Sequence, residues 1–203
     1  MGKPATAAAP APVRPLSTNQ RVVLWARGKL GRQVGRGECW DLAEHALRQA
    51  GASTSNDLMT KVEDDSDYVW GDAVENLKDI RPGDILQFRD HLVVETVTTV
   101  ARFPDGAWVE ETEETSMSRG HHTAIVEHMP DADGAIGTLD QHVKPLGKVM
   151  QRKTLYTRDL ERVQVRKQRW RHPTSKKPEM ASVTTTRSLV VTGRVWAYRP
   201  RPK

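Results

Sequence analysis

The chain has 203 residues, 37 % of them hydrophobic, a net charge of +5 and a single cysteine. That length suits one domain, or one domain with tails, and can bury well over half of the unfolded surface. One cysteine excludes an internal disulfide framework and a multi-cysteine zinc site, and no stretch approaches the roughly 18 consecutive apolar residues of a membrane span.

Residues 1–16 (MGKPATAAAPAPVRPL) are Ala/Pro-rich without an apolar period and read as a disordered arm. They lack the apolar run of a Sec-type signal peptide, so the expected location is the cytoplasm, or outside it by a non-Sec route. Ser17, Thr18 and Asn19 offer N-caps for a helix through Arg27–Leu30, with Val22, Val23, Leu24 and Trp25 on its apolar side. The glycine-rich turn Gln33-Val-Gly-Arg-Gly-Glu-Cys39-Trp40 then runs into an amphipathic helix. In it Leu42, Ala43, Ala46, Leu47 and Ala50 recur at helical spacing, and Gly51 closes it. Residues 52–78 read as acidic and irregular, with a short helix near Asp72–Lys78. Arg81-Pro-Gly-Asp84 is a turn that launches Ile85–Phe88 as a strand. Leu92–Phe103 and Ala107–Glu114 form a hairpin about Pro104-Asp-Gly106, and His121–Met129 and Ile136–Val143 form a second about Pro130–Gly134. Residues 144–162 read as mildly helical, 172–182 as a loop, and Ser188–Val191 and Arg194–Arg199 as closing strands. Helices first and strands after is an α+β order, with the cysteine-bearing helix expected on an antiparallel sheet. The domain is expected to span 17–203, with the hairpin near 92–114 inserted into it.

The net charge conceals a division. Residues 1–147 carry net −8 and residues 148–203 carry net +13. A basic C-terminal segment of this kind either docks on an anionic polymer, such as nucleic acid, wall polymer or lipid head groups, or complements the acidic body. No zinc-finger, helix-turn-helix or RNA-recognition signature accompanies it. Leu, Ile, Val and Phe make up about a fifth of the chain, so a modest core is expected.

Cys39 is the informative residue. It follows two glycines and opens a helix, and a helix N-terminus presents unpaired N–H groups and partial positive charge that favour thiolate over thiol. The competing reading is a small buried hydrophobe. A cysteine nucleophile needs a base and an orienting group. His122 opens the run Thr-Ala-Ile-Val126, at the rim of a sheet, and is the preferred base over the adjacent His121. On the next strand, Asp140 and His142 share a face and Gln141 takes the other, so Asp140 or His142 is the third member. The Cys39 N–H and the Gln33 amide are candidate oxyanion donors. Trp40, beside the cysteine, is the candidate substrate-binding side chain. His91, His121, His122, His128 and His142 have no metal-ligand spacing, and no glycine motif for phosphate or dinucleotide is present, so neither metal nor cofactor is expected. The runs Glu63–Asp67 and Glu110–Glu114 lack calcium-loop spacing and read as solvated.

Gln33-(five residues)-Cys39-Trp40 resembles the signature of papain-like cysteine peptidases. Arg81-Pro-Gly-Asp-Ile85 and Gly120-His-His-Thr-Ala-Ile-Val126 are similar to the compact NlpC-type cell-wall peptidases and CHAP amidases. There is a further resemblance to the cysteine-proteinase-fold domain of fungal actin-patch adaptor proteins, in Ile80–Ile85, Gln87-Phe-Arg89 and Gly193-Arg-Val-Trp-Ala-Tyr-Arg-Pro200. Those adaptor domains can lack the cysteine, which this chain keeps. The resemblance covers roughly residues 33–200. It implies a papain-like (NlpC/CHAP-type) fold and a cysteine hydrolase cleaving an amide in a peptide or a peptidoglycan stem, without cofactor. NlpC-type enzymes use a third histidine, which favours His142. In CHAP enzymes a Glu-x-Asn pair occupies the place of Asp140-Gln-His142. The alternatives are a non-catalytic protein-interaction module on the same fold, and an acyltransferase or deamidase using the same triad.

Overall fold

Helix α1 (Thr18–Arg27) begins at a capping box. The Ser17 hydroxyl accepts from Gln20 N (3.2 Å), and the Gln20 side chain accepts from Ser17 N (2.8 Å). Helix α2 (Cys39–Gln49) follows the glycine-rich turn, and a one-turn helix α3 (Ser55–Leu58) follows that. The remaining elements are strands: β1 (Asp72–Val74), β2 (Ile85–Arg102), β3 (Trp108–His128), β4 (Ala135–Asp140), β5 (Gln151–Tyr156), β6 (Leu160–Arg171) and β7 (Pro178–Arg199). The computed structural model describes residues 14–203. The segment expected to be a disordered arm lies outside the described residues, apart from 14–16, which are irregular and exposed.

All pairings in the seven-stranded sheet are antiparallel, in the order β1-β7-β2-β3-β4-β5, with β6 on β7. The sheet has two zones. In the body, one face packs Ile85, Ile125 and Leu139 against α1 and α2 through Val22, Leu42, Ala46 and Leu47. The other face buries Leu86, Phe88, Ala124, Val126 and Ile136. Beyond the body, β6, β7, β2 and β3 continue as a four-stranded arm, whose small core is Ala101, Phe103, Ala181 and Val183. A bulge in β2 between Arg89 and Leu92 marks the junction. There Gly193 has φ +89, and a Cβ on it would lie 2.2 Å from the carbonyl oxygen of Asp90.

The Arg-Pro-Gly-Asp turn ties the body together. Buried Asp84 accepts from Arg81 N (2.8 Å), Asn19 Nδ2 (2.7 Å) and Arg199 Nη2 (3.0 Å), joining α1, the turn and the last strand. Gly83 passes so close to α1 that a Cβ would lie 2.1 Å from Asn19 O.

Several elements differ from the sequence reading. The hairpin expected as an insertion near 92–114 is the uninterrupted outward run of β2 and β3. Residues 144–162 contain no helix; β5 and the start of β6 occupy them. The 172–182 loop shrinks to a turn, because β7 starts at Pro178 and runs 22 residues to Arg199. Near 72–78 lie β1 and a 3₁₀ turn (Leu77–Asp79) rather than a short helix. The Ser182–Arg187 stretch of β7 is rich in Thr, which suits a pleated surface, yet has too little apolar alternation to announce a strand. The Glu63–Asp67 run is not merely solvated, because Asp65 and Asp67 both hold Arg89. Of the basic C-terminal segment, seven side chains pair with carboxylates elsewhere, Arg152 with Glu127 and Arg199 with Asp84 among them.

Candidate active site

Cys39 is the first residue of α2 and is half-buried. The turn before it is wrapped tightly. Gly35 (φ +57) and Gly37 (φ +91) sit where added Cβ atoms would come within 2.9 Å of Asp41 and 2.6 Å of Lys148. Buried Asp41 accepts from Arg36 N (2.7 Å) and Glu38 N (3.3 Å) and pairs with the Arg36 guanidinium. Buried Gln141 clamps the same turn from the end of β4. Its Oε1 accepts from Val34 N (2.7 Å), and its Nε2 donates to Val34 O (3.0 Å) and Glu38 O (2.8 Å). These bonds set the position of the helix start, and hence of the sulfur.

His122 lies on β3 on the same face as Ala124 and Val126, as strand alternation requires. Its ring is buried beside Phe88, 5.7 Å between centroids. Nε2 lies 2.9 Å from Asp140 Oδ1, which leaves Nδ1 for the neighbouring Cys39. Burial alone would pull the imidazole pKa down. The hydrogen bonds to Asp140 and Cys39 and the charges of both outweigh it, and the value is raised to about 9. The site thus favours a proton on the ring. Asp140 is fully buried. Burial disfavours its charge, but the His122 hydrogen bond and charge, the Arg119 charge and the Thr138 hydroxyl on Oδ2 together hold its pKa below the usual carboxylate value. Arg119 is itself buried, with Nη2 3.6 Å from Asp140 Oδ1, its guanidinium over the Phe88 ring and Nε without a partner.

His142 does not reach His122. The β3–β4 register, extended from Ile125↔Leu139, would set His142 opposite His122 and Asp140 on the diagonal. The strand ends at Asp140, however, and His142 takes φ +66, so its half-exposed ring turns to Glu38 Oε2 at 2.6 Å. Gln33 is also outside the site. Its amide is exposed and donates back to Gly35 O (3.2 Å), because the reversal at Gly35 folds the turn onto itself. The second ring of the His-His pair, His121, faces the opposite side. Its Nε2 lies 2.6 Å from Ser66 O, and the ring packs on Tyr68.

Cys39 borders two polar clefts. One, of about 680 Å³, is lined by Arg36, Glu38, Trp40, Tyr68 and His142. The other, of about 650 Å³, is lined by Ser116–Gly120, Lys144 and Lys153. Trp40 shows part of its ring to the first cleft and anchors the rest in the core, with Nε1 donating to Ser55 Oγ (3.0 Å). Among the described residues, no group of three or more His, Cys, Asp or Glu is placed to hold a metal ion. No helix among them is long and apolar enough to cross a membrane.

Cys39 thus opens a helix, and His122 stands beside it on a strand. The family model described as the AIM3/BBC1 cysteine proteinase-fold domain matches residues 17–203. The chain belongs to that family. This AIM3/BBC1-type domain is also 34 % identical over 76 residues to altered inheritance of mitochondria protein 3 of Debaryomyces hansenii. That match takes in 33 % of this chain and 8 % of the yeast protein. No solved structure matches. Within the domain, Gln141, Asp41 and Arg119 are the residues around the site that motif reasoning passes over. For Gln141 a signal existed: alternation puts it on the face opposite Asp140, toward the turn that precedes Cys39.

Proposed function

We propose that this domain is a cysteine hydrolase of papain-like (NlpC/CHAP-type) architecture that cleaves an amide bond in a peptide. The observation that supports it is the buried His122 ring, 2.9 Å from Asp140 and beside a half-exposed Cys39 at a helix start, with clefts beside the sulfur. Proton transfer from Sγ to Nδ1 gives a thiolate, which attacks the amide carbonyl carbon. The resulting oxyanion meets the Cys39 N–H and the positive end of α2. As the C–N bond breaks, Nδ1–H protonates the leaving amine. A water deprotonated by the same nitrogen then releases the acid from the thioester. Asp140 keeps the ring oriented throughout. An amine or thiol acceptor in place of water would make the same site an acyltransferase, and a side-chain amide substrate would make it a deamidase.

The test is incubation with a casein-type protein and, separately, with purified peptidoglycan, followed by mass analysis of the fragments. Cleavage by the wild-type chain that vanishes in Cys39→Ala is the expected result, and undiminished cleavage by Cys39→Ala refutes the mechanism. A non-catalytic interaction module on the same fold is the second reading. What favours it is the arm, which extends β2, β3 and β7 far beyond the site and touches it only where Ser116–Ser118 line a cleft. Alkylation of Cys39 no faster than that of an unpartnered thiol would decide for this second reading.

A further inference from the structure

We propose that the arm is a self-association surface, on which the β3 edge of one copy takes the β6 edge of a second copy, head to tail. Both edges are open. Over Trp108–Ser118, β3 pairs with β2 alone, and along its whole length β6 pairs with β7 alone. Each open edge is 11 or 12 residues, roughly 35–40 Å of unpaired backbone donors and acceptors.

The two edges carry opposite charge. The β3 edge presents Glu110, Glu111, Glu113 and Glu114 and no basic residue before Arg119. The β6 edge presents Arg162, Arg166, Lys167, Arg169 and Arg171 against the single acid Glu161. The four glutamates, Arg166, Lys167 and Arg169 are exposed, and among the described residues none of them is in an ion pair. Charge on a strand edge ordinarily blocks association. Here each edge has one sign, so β3-on-β3 and β6-on-β6 contacts are repelled while β3-on-β6 is attracted.

Geometry agrees with the charges. β6 is antiparallel to β7, β7 to β2 and β2 to β3, so a second copy in the same orientation lays β6 antiparallel against β3 and continues the alternation. That orientation keeps like faces together. Trp108, Val163 and Val165 register with Arg102, Thr98 and Val100 respectively, all on one face of β2. They are 56 %, 58 % and 62 % exposed, and edge pairing brings the second copy's two valines onto the face that carries Trp108. Strand twist of about 20–25° per strand turns each added four-stranded arm by roughly 90°, which carries successive bodies apart. A heterologous contact of this kind leaves a free edge at each end and grows into a ring or a helical polymer.

Sedimentation velocity over a concentration series tests this. In salt of about 50 mM the wild-type chain is expected to gain mass with concentration, and in about 500 mM salt to fall back to monomer. The variant Glu110→Lys/Glu111→Lys/Glu113→Lys/Glu114→Lys has two positive edges. The variant Arg166→Glu/Lys167→Glu/Arg169→Glu has two negative edges. Each alone is expected to stay monomeric with a wild-type circular dichroism spectrum, and an equimolar mixture of the two to associate. A wild-type chain monomeric throughout, or reversals that leave its association unchanged, overturns the proposal. So does a monomer that binds heparin through Arg166, Lys167 and Arg169, which would assign the β6 edge to an anionic polymer.

Discussion

Replacing Asp140 by Asn tests the electrostatics of the site directly, because it keeps the shape of the side chain and removes only its charge. The His122 pKa stands at about 9 against an ordinary 6.5, roughly 3 kcal/mol of preference for the imidazolium. Burial works against that preference, so Asp140 and Cys39 together supply more than the net amount. Asp140 lies 2.9 Å from the ring. If it contributes half or more, Asp140→Asn removes about 2 kcal/mol, a factor of ~30 in the proton affinity of the ring. Arg119, 3.6 Å from the carboxylate, loses its counter-charge at the same time and pushes in the same direction. The assay is the rate of Cys39 alkylation by iodoacetamide as a function of pH, read by mass spectrometry. The wild-type profile is expected to change slope near pH 9, where His122 releases its proton. In the variant that change is expected to move down by about 1.5 pH units, toward neutrality. A variant that keeps the wild-type pH profile would refute this account of the charge balance.

Stability should follow the same group. A pKa raised by folding gives stability that is fully present below the unfolded value and lost as pH rises through the folded one. Urea denaturation is therefore expected to show a loss of up to roughly 3 kcal/mol between pH 6.5 and about 9, a slope that Asp140→Asn flattens. Gln141→Ala leaves Val34 N–H and two carbonyls without their buried partner and should cost about 2–3 kcal/mol in the same measurement, together with slower Cys39 alkylation as the helix start loosens. Gly83→Ala, whose Cβ would meet Asn19 O at 2.1 Å, should leave little folded protein. Gly106→Ala, also at positive φ but with nothing near it, should cost only the left-handed strain of about 1 kcal/mol. Equal melting temperatures for the two alanine variants would contradict the close packing of the Pro-Gly-Asp turn.

The body of the fold was legible wherever local chemistry and tertiary need coincide. Ser17 caps a helix, Gly35 and Gly37 allow the reversal before Cys39, and Asp84 is the buried polar hub that the Arg-Pro-Gly-Asp turn exists to place. The pattern His122, Ala124, Val126 gave the correct face by period two. Period two also failed at one place. It treats Asp140 and His142 as equivalent, and only the positive φ at His142, a property of the chain reversal and not of the residue type, separates them. Gln33 was misplaced for a similar reason: six residues of spacing do not say which way a glycine turn folds. The arm was least legible. Its outer strands are built largely from Thr, Val, Glu and Arg exposed on both faces, and such strands lack the apolar alternation by which strands are recognised.

Strand β3 joins the two readings of this domain and also separates them. Its inner half, from Arg119 to His128, is largely buried and brings His122 to Cys39; its outer half, from Trp108 to Ser118, is exposed and acidic. A strand that served catalysis alone would end just past His122 and Arg119, and this one runs on by roughly 35 Å to Trp108. Side chains of the two halves meet where Arg119 Nη1 donates to Met117 Sδ (3.0 Å), away from the edge glutamates, so their perturbations are separable. Cys39→Ala should abolish alkylation and leave association intact, whereas the charge-reversed β3 edge should do the opposite. If the reversed edge also slowed Cys39 alkylation at concentrations where the wild-type chain is associated, the second copy would be contributing to the cleft beside Ser116–Gly120, and hydrolysis and assembly would be one function rather than two.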